Sequence, residues 1–344
     1  MKQQSLSSKT GEVRFRKKLV NQHKGLTTFY PTHTNAQQNL KLLRERAQRT
    51  FQIFSDLKNQ KIALSPFLEI GGEKCERAAV ISSKMKGVGA VVDISAESLE
   101  SAKFFCIKIG LKKLPIRICA DCYHLPFLDN SFAFAFTFQT LHHFPDPMPV
   151  VDEVYRVISP GGYFFIDEEP VKQLLNIPLF RRDFNLRWWE KILKAALILP
   201  FISKIGKSEV DEEVLEESFA SNVWERALNS FEEVSANLIP FPYGPRTHIQ
   251  KNSRAHWLNA KLLTLLFLSI GGGGIQALCK KKGILTDKKF DIYQSIVCPT
   301  CQIRLNNHNN EFFCKKCKTV FPVKNGVHYL LPEELLSKLY PNIL

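Results

Sequence analysis

The sequence contains no G-x-G-x-x-G turn. After Gly71 and Gly72 the chain reads Glu73, Lys74, Cys75, so the glycine pattern that receives a dinucleotide pyrophosphate is missing. An anionic Glu beside the next helix start also opposes a pyrophosphate, which free N–H groups and the helix dipole would otherwise favour there. No apolar h-region follows the first residues, which are polar and basic, so no secretion signal is expected. The cysteines are scattered or set in C-x-x-C pairs, which predicts a reducing, cytoplasmic setting. Long uncharged runs are scarce. Leu262–Cys279 gives 18 residues without charge, the lower limit of a membrane span, but the four glycines Gly271–Gly274 oppose a continuous helix, and no transmembrane span is expected.

What is present is basic and unevenly so. The 344 residues carry a net charge of +14. Residues 1–50 hold 11 Lys/Arg against 2 acids, and residues 280–318 hold 9 against 3; the stretch between is close to neutral. The cationic ends suit an anionic partner, RNA or an anionic membrane surface, or else serve as solvated tails. A hydrophobic content of 44% supplies a core for one large domain with a small one beside it.

The organising stretch is Pro66–Asp93. A short apolar strand, Pro66–Ile70, carries Glu69 and runs into Gly71 and Gly72. A helical run, Cys75–Ser83, leads to a second strand, Val88–Val92, that ends on Asp93. This is a βαβ unit with a glycine turn after its first strand and an acid after its second, a pattern that binds adenosine cofactors. A glycine turn preceded by Glu69 suits a ligand with a cationic centre and no phosphate, and S-adenosylmethionine (SAM) is such a ligand. Residues 1–38 read as a loosely ordered basic arm, and Asn39–Lys58 as an amphipathic helix. Further strands are expected at Pro115–Cys119, Phe132–Phe138, Tyr163–Ile166, Val234–Phe241 and Ile275–Cys279. The alternation with helices predicts an α/β fold, a doubly wound seven-stranded sheet. Ligands in such sheets sit at the carboxyl ends of the strands, where Glu69, Gly71, Asp93, Asp121, His142, His143 and Asp167 all fall.

Residues 66–166 resemble a class I SAM-dependent methyltransferase of the group called methyltransferase type 11. The stretches that carry the likeness are FLEIGG, VVDIS with ESLESAK, ADCYHLPFLDNSFAFAF, LHHFPDP and EVYRVISPGGYFFI. The resemblance implies a Rossmann-like methyltransferase domain over residues 39–285 with SAM as cofactor. It places Gly71 and Gly72 against the methionine part, with Glu69 orienting that loop. It gives Asp93, with Ile94, to the ribose hydroxyls and Asp121, with Cys122, to the adenine, and puts Gln139 in the same site. The chain departs from the pattern at Glu73 and Cys75, where glycines are usual.

Methyl transfer from a sulfonium relies on alignment of acceptor, methyl carbon and sulfur. A neutral oxygen or nitrogen acceptor also has to lose a proton, and His142 or His143 is the candidate base; either could instead only shape the pocket. The end of the fourth strand lacks an N-P-P-Y sequence, which disfavours exocyclic amines of nucleobases, and lacks a Pro-Cys pair, which disfavours attack on pyrimidine carbons. Residues 170–230, with the run KILKAALILPFISKIGKS, read as a helical lid over the acceptor, as a packing subdomain, or as a membrane-surface helix. The expected acceptor is an oxygen or nitrogen on a small molecule, a sugar or a lipid-linked molecule. The alternatives are an RNA methyltransferase of the tRNA wobble-uridine type and a non-catalytic scaffold that has lost SAM.

The tail, residues 290–335, is a second unit. Cys298-x-x-Cys301, 12 residues, then Cys314-x-x-Cys317 is a four-thiolate zinc pattern. With no ligand position left for water, the zinc is expected to be structural, and so short a unit needs a metal to fold. The sequel TVFPVKNGVHYLLPEE, Thr319–Glu334, resembles the zinc-ribbon activator subunits that partner translation-related methyltransferases. That likeness implies a ribbon that adds a strand to, or covers an edge of, the catalytic sheet.

Overall fold

The computed structural model describes residues 4–23, 36–171, 219–240, 247–250, 273–286, 291–308 and 311–343, with isolated positions between 188 and 268. A ten-stranded sheet forms the centre. Its strands are β1 (Phe67–Ile70), β2 (Gly89–Asp93), β3 (Ile116–Cys119), β4 (Phe132–Phe138), β5 (Ile158–Val171), β6 (Glu233–Pro240), β7 (Thr247–Gln250), β8 (Gly273–Lys280), β12 (Val323–Lys324) and β13 (Val327–Tyr329). Their order is β12-β13-β3-β2-β1-β4-β5-β8-β6-β7. The seven expected strands are present and adjacent, in the order β3-β2-β1-β4-β5-β8-β6. Three more extend the sheet: β7, paired antiparallel with β6 at one edge, and β12 and β13 from the C-terminal region at the other.

β1 is buried at all four positions and pairs parallel with β2 on one side and β4 on the other. The strand order reverses between β1 and β4, and that switch point opens a crevice at the carboxyl ends of the strands. In β4 the Phe–Ala alternation sorts by face. Phe134, Phe136 and Phe138 point to the side where Phe54 lies, with ring centroids 6.1, 5.1 and 6.3 Å from it. Phe54 belongs to α2 (Ala36–Asn59), which with α3 (Glu76–Lys84) and α4 (Ala96–Lys108) covers this face. Ala135 points the other way, as does Phe132 on the far side of a register shift between Phe132 and Phe134, into the layer under α5 (Met148–Val157) and α6 (Ser221–Ala227). Period-two alternation thus feeds two separate cores. Ser95 caps α4, its hydroxyl accepting from Ser98 N.

Three local readings change. Residues 6–23, taken as part of a loosely ordered arm, form a helix, α1 (Leu6–His23). Its weak amphipathicity and central Gly11 hid it, and tertiary contacts hold it: Val13 and Phe15 are buried, and Lys17 reaches Glu97 on α4. β5 does not stop at Ile166. Pairing with β8 carries it to Val171, with a register shift between Ile166 and Glu169. Gly273 and Gly274, ahead of the strand expected at Ile275–Cys279, are the first residues of β8, opposite Val171 and Pro170. Most of the expected lid, and the run 251–267, lie outside the described residues.

The tail builds a small three-stranded sheet, β11-β10-β9, from β9 (Asn306–His308), β10 (Glu311–Phe313) and β11 (Val320–Phe321). A short helix, α7 (Ile292–Ser295), precedes it, and α8 (Glu333–Leu339) follows β13. β13 pairs parallel with β3, Tyr329 opposite Cys119. The tail therefore continues the main sheet and covers what would be its open edge.

Candidate active site

The glycine turn is built for close approach. Gly71 sits at φ +65, and its amide donates to Val92 O at 2.8 Å. A Cβ there would lie 2.2 Å from the Thr140 side chain; one at Gly72 would lie 2.5 Å from Val91 and 2.8 Å from the Glu69 carboxylate. Neither position admits alanine without displacement. Glu69 is buried, accepts from Ala78 N at 3.1 Å and so ties the turn to α3. Burial pushes its carboxyl up to about 8.

Glu73 and Cys75 take the glycine-like conformation without glycine, at φ +39 and +59. Each such residue costs about 1 kcal/mol or more. Glu73 N donates to Asp93 Oδ2 at 2.9 Å, its side chain pairs with Arg16, and Cys75 is wholly buried. Those contacts hold the turn.

Asp93 and Asp121 stand at the ends of adjacent strands. Asp93 is opposite Cys119, and Ala120 N donates to Asp93 O at 3.1 Å, so the two acids share one edge of the sheet. Asp93 also accepts from Ser95 N at 2.8 Å. Burial raises its carboxyl to about 7, outweighing the donated N–H groups. Asp121 accepts from Tyr123 N at 3.0 Å and from Lys9 Nζ at 2.5 Å. Cys122 is buried and burial pushes its thiol up, as it does for Cys75, Cys106 and Cys119. Ile94 contributes its carbonyl, which accepts from Tyr340 Oη at 2.6 Å.

Helix α1 lies across this edge. Gln4 N donates to the Tyr123 hydroxyl, Gln4 Nε2 to His143 O, and Lys9 reaches Asp121. A small cleft, open to solvent, remains beside the glycine turn; Gly71, Gly72 and Gln139 line it together with Arg16, Arg46 and Arg77. Asp93, Asp121 and the histidines do not line that opening. Sequence reasoning missed α1 as part of the site, because what commits it here is a set of ion pairs with residues far along the chain.

The histidines lie on a one-turn 3-10 segment, Leu141–His143, just past β4. His142 Nδ1 is 2.9 Å from Glu169 Oε2. Glu169 is fully buried and accepts from the amides of Thr140 (2.7 Å), Leu141 (2.9 Å) and His142 (3.2 Å). Burial pushes its carboxyl up, but the His142 imidazole and those amides outweigh it and leave it below the usual carboxylate range. An ionised Glu169 makes Nδ1 the protonated nitrogen of His142 and leaves Nε2 as the basic one. The register shift in β5 turns Glu169 inward while Glu168 stays exposed, the usual effect of a bulge. His143 Nδ1 is 2.9 Å from Leu215 O, and burial and the neighbouring His142 hold its imidazole low. The two rings are 4.2 Å apart between centroids. Asp167, the other acid near the strand end, has a carboxyl that burial raises to about 6.

The four cysteines of the tail converge. Sγ of Cys298, Cys301, Cys314 and Cys317 all lie within 4.8 Å of one another, with Cys298 and Cys317 at 3.7 Å. A tetrahedral zinc with Zn–S near 2.3 Å spaces its sulfurs by about 3.8 Å, so the donor set fits that ion. Each C-x-x-C is followed by a left-handed residue, Gln302 at φ +56 and Lys318 at φ +65, whose amides bond back to Cys298 O and Cys314 O. Among the described residues no helix is long and apolar enough to cross a membrane.

Residues 68–166 match the family described as "Methyltransferase domain". Among curated proteins, the chain is 27% identical over 143 residues to a sterol 24-C-methyltransferase of Pneumocystis carinii, covering 41% of this chain and 35% of that one. It is 30% identical over 95 residues to the 27-O-demethylrifamycin SV methyltransferase of Amycolatopsis mediterranei, covering 28% and 35%. The chain thus spans about a third of the length of these relatives. Among solved structures, a geranyl diphosphate C-methyltransferase from Streptomyces coelicolor is similar with a TM-score of 0.46 and 10% identity, over 79% of this chain and 98% of that one.

Proposed function

We propose that this chain, which carries a SAM-dependent methyltransferase domain, transfers a methyl group to an oxygen or nitrogen of a small organic acceptor held beneath α1. The observation that carries the proposal is the gathering, on one sheet edge, of the Gly71–Gly72 turn, the paired strand-end acids and the buried His142–Glu169 pair. Asp93 would hold the ribose hydroxyls, Asp121 the adenine amino group, and the turn the methionine part. SAM supplies an electrophilic methyl on a sulfonium. As the acceptor's lone pair takes that methyl, His142 Nε2 takes the acceptor's proton and the imidazolium is stabilised by Glu169. The methyl would come from the sulfonium of bound SAM, whose carbon–sulfur bond electrons would stay with the departing thioether. Position does the remaining work, aligning acceptor, carbon and sulfur.

A small acceptor is favoured because the histidines are covered. Gln4, just ahead of α1, donates to His143 O, Leu215 O accepts from His143 Nδ1, and Glu217 N donates to His142 O. Both imidazoles are buried, whereas a nucleic acid requires an open basic groove. The RNA alternative rests on the exposed cations of α1, Arg14, Lys17 and Lys18. For the tail we propose a structural zinc on the four thiolates, which would supply folding energy, and a ribbon that acts in cis, through β13, as separate activator subunits do in trans.

Calorimetry with S-adenosylhomocysteine, followed by turnover assays on sterol, polyketide and sugar acceptors and on tRNA, tests the reading. Micromolar binding with turnover on a small acceptor is expected. Binding with turnover on tRNA alone, lost steeply with salt, would move the assignment to RNA. Absence of any SAM or S-adenosylhomocysteine binding would leave the scaffold.

A further inference from the structure

Tyr340 joins the C-terminal end of the chain to the loop that carries Asp93. Its hydroxyl donates to Ile94 O at 2.6 Å and accepts from Ala96 N at 2.8 Å. The loop between β2 and α4 is therefore bridged across its backbone by one side chain from more than 240 residues away. From within, the same loop is held by Asp93, which accepts from Ser95 N. Tyr340 is buried, and its ring stands edge-on to Tyr329 at 5.4 Å. Tyr329 lies opposite Cys119 on β3 and its hydroxyl donates to Glu100 on α4 at 2.8 Å. Asn325 also donates to Glu100, at 3.0 Å. Cys119 Sγ reaches the same Ile94 carbonyl, at 3.4 Å. On the other side, His328 of β13 packs against Phe312 of β10, 5.1 Å between ring centroids, next to the strand that leads into Cys314.

From this geometry we infer that Tyr340 is a positioning residue for cofactor binding: it sets the backbone of the ribose-binding loop, and through it the four-cysteine region governs affinity for the adenosine moiety. The inference rests on the methyltransferase reading given above. Its physical basis is that a carboxylate holds a ribose diol well only when its own backbone is fixed. Without the tyrosine hydroxyl, Ile94 O and Ala96 N lose a shared buried partner, and the loop gains freedom that the ligand must then remove.

The test is a cycle between protein and ligand. S-adenosylhomocysteine and its 2′-deoxy analogue are titrated into the full-length, metal-loaded wild type and Tyr340→Phe. Loss of the hydroxyl should weaken S-adenosylhomocysteine about fivefold, the effect of roughly one net hydrogen bond, and weaken the deoxy analogue clearly less. Metal content should not change. Leu339→Ala, which loosens α8 but keeps the hydroxyl, should show the same ligand-selective loss in smaller measure, and Tyr329→Phe should bind like the wild type. Equal losses for both ligands in Tyr340→Phe and Leu339→Ala, or none, overturn the inference while wild-type binding leaves the methyltransferase reading standing. A wild type that binds neither ligand overturns both.

Discussion

Lys9 Nζ stands 2.5 Å from Asp121 Oδ2, with both side chains nearly buried. A cation from the first helix thus occupies the carboxylate assigned to the adenine amino group. The helix covers the strand ends here, and under the proposed assignment a bound adenine would displace this contact.

Replacing Lys9 with Met should therefore tighten S-adenosylhomocysteine binding, by about fivefold if the displaced pair is worth roughly 1 kcal/mol. Calorimetry decides it. Weaker binding in Lys9→Met would mean that Lys9 helps to hold the cofactor instead of competing with it.

Glu169 should be tested by Glu169→Gln. The substitution removes the charge that faces His142 and weakens acceptance from three amides, with an expected loss of about 3 kcal/mol in stability. Because the folded carboxyl lies below its ordinary value, its contribution is present above the unfolded pKa, roughly 4.3, and disappears as pH falls through the folded value. Denaturant midpoints at pH 7 and pH 3 should therefore differ more for the wild type than for the variant. Methyl transfer should fall as well, with the loss in kcat, since the imidazolium matters only during proton transfer.

Asp93 predicts a pH dependence of the opposite sense. Its carboxyl is pushed up to about 7, and only the carboxylate accepts from two ribose hydroxyls. Affinity for S-adenosylhomocysteine should rise between pH 6 and pH 8 in the wild type, on the scale set by that value. Asp93→Asn should bind weakly, with this rise removed. Without ligand the folded protein keeps a proton that the unfolded chain releases near pH 4. This residue's share of stability therefore declines as pH rises from about 4 to about 7. Melting curves of both proteins across that range would show it, and parallel curves would refute it.

Metal analysis should find one zinc per chain. Cys317→Ser should lower that content, and chelation should depress the melting temperature and expose the region after Ile296 to protease. Full retention of the melting temperature after complete metal removal would count against a structural zinc.

The fold was open to reading wherever local pattern and burial agree. β4 alternates Phe with Ala because it separates two cores, and Ser95 caps α4 by its own side chain; both are short-range facts written in consecutive residues. The strand-end acids Asp93 and Asp121 and the four tail cysteines follow the same rule, since spacing along the chain sets their place. α1 was not legible: its periodicity is poor, and what holds it is Lys9 meeting Asp121, 112 residues away, Arg16 meeting Glu73, 57 residues away, and Val13 buried in the core under α2 to α4. Glu169 follows Asp167 and Glu168 with nothing in the sequence to set it apart, and only the register shift against β8 turns it inward onto His142.

By itself, the sequence determined where along the chain the seven expected strands fall, the turn at Gly71 and the chemistry available at each strand end, because those depend on residue type and near-neighbour geometry. The tertiary structure alone decided which groups meet: α1 over Asp121, Glu169 under His142, and Tyr340 across the loop between β2 and α4. Contacts of that kind depend on sheet register and edge pairing, where one residue of slip exchanges a buried face for an exposed one, and no local pattern records them.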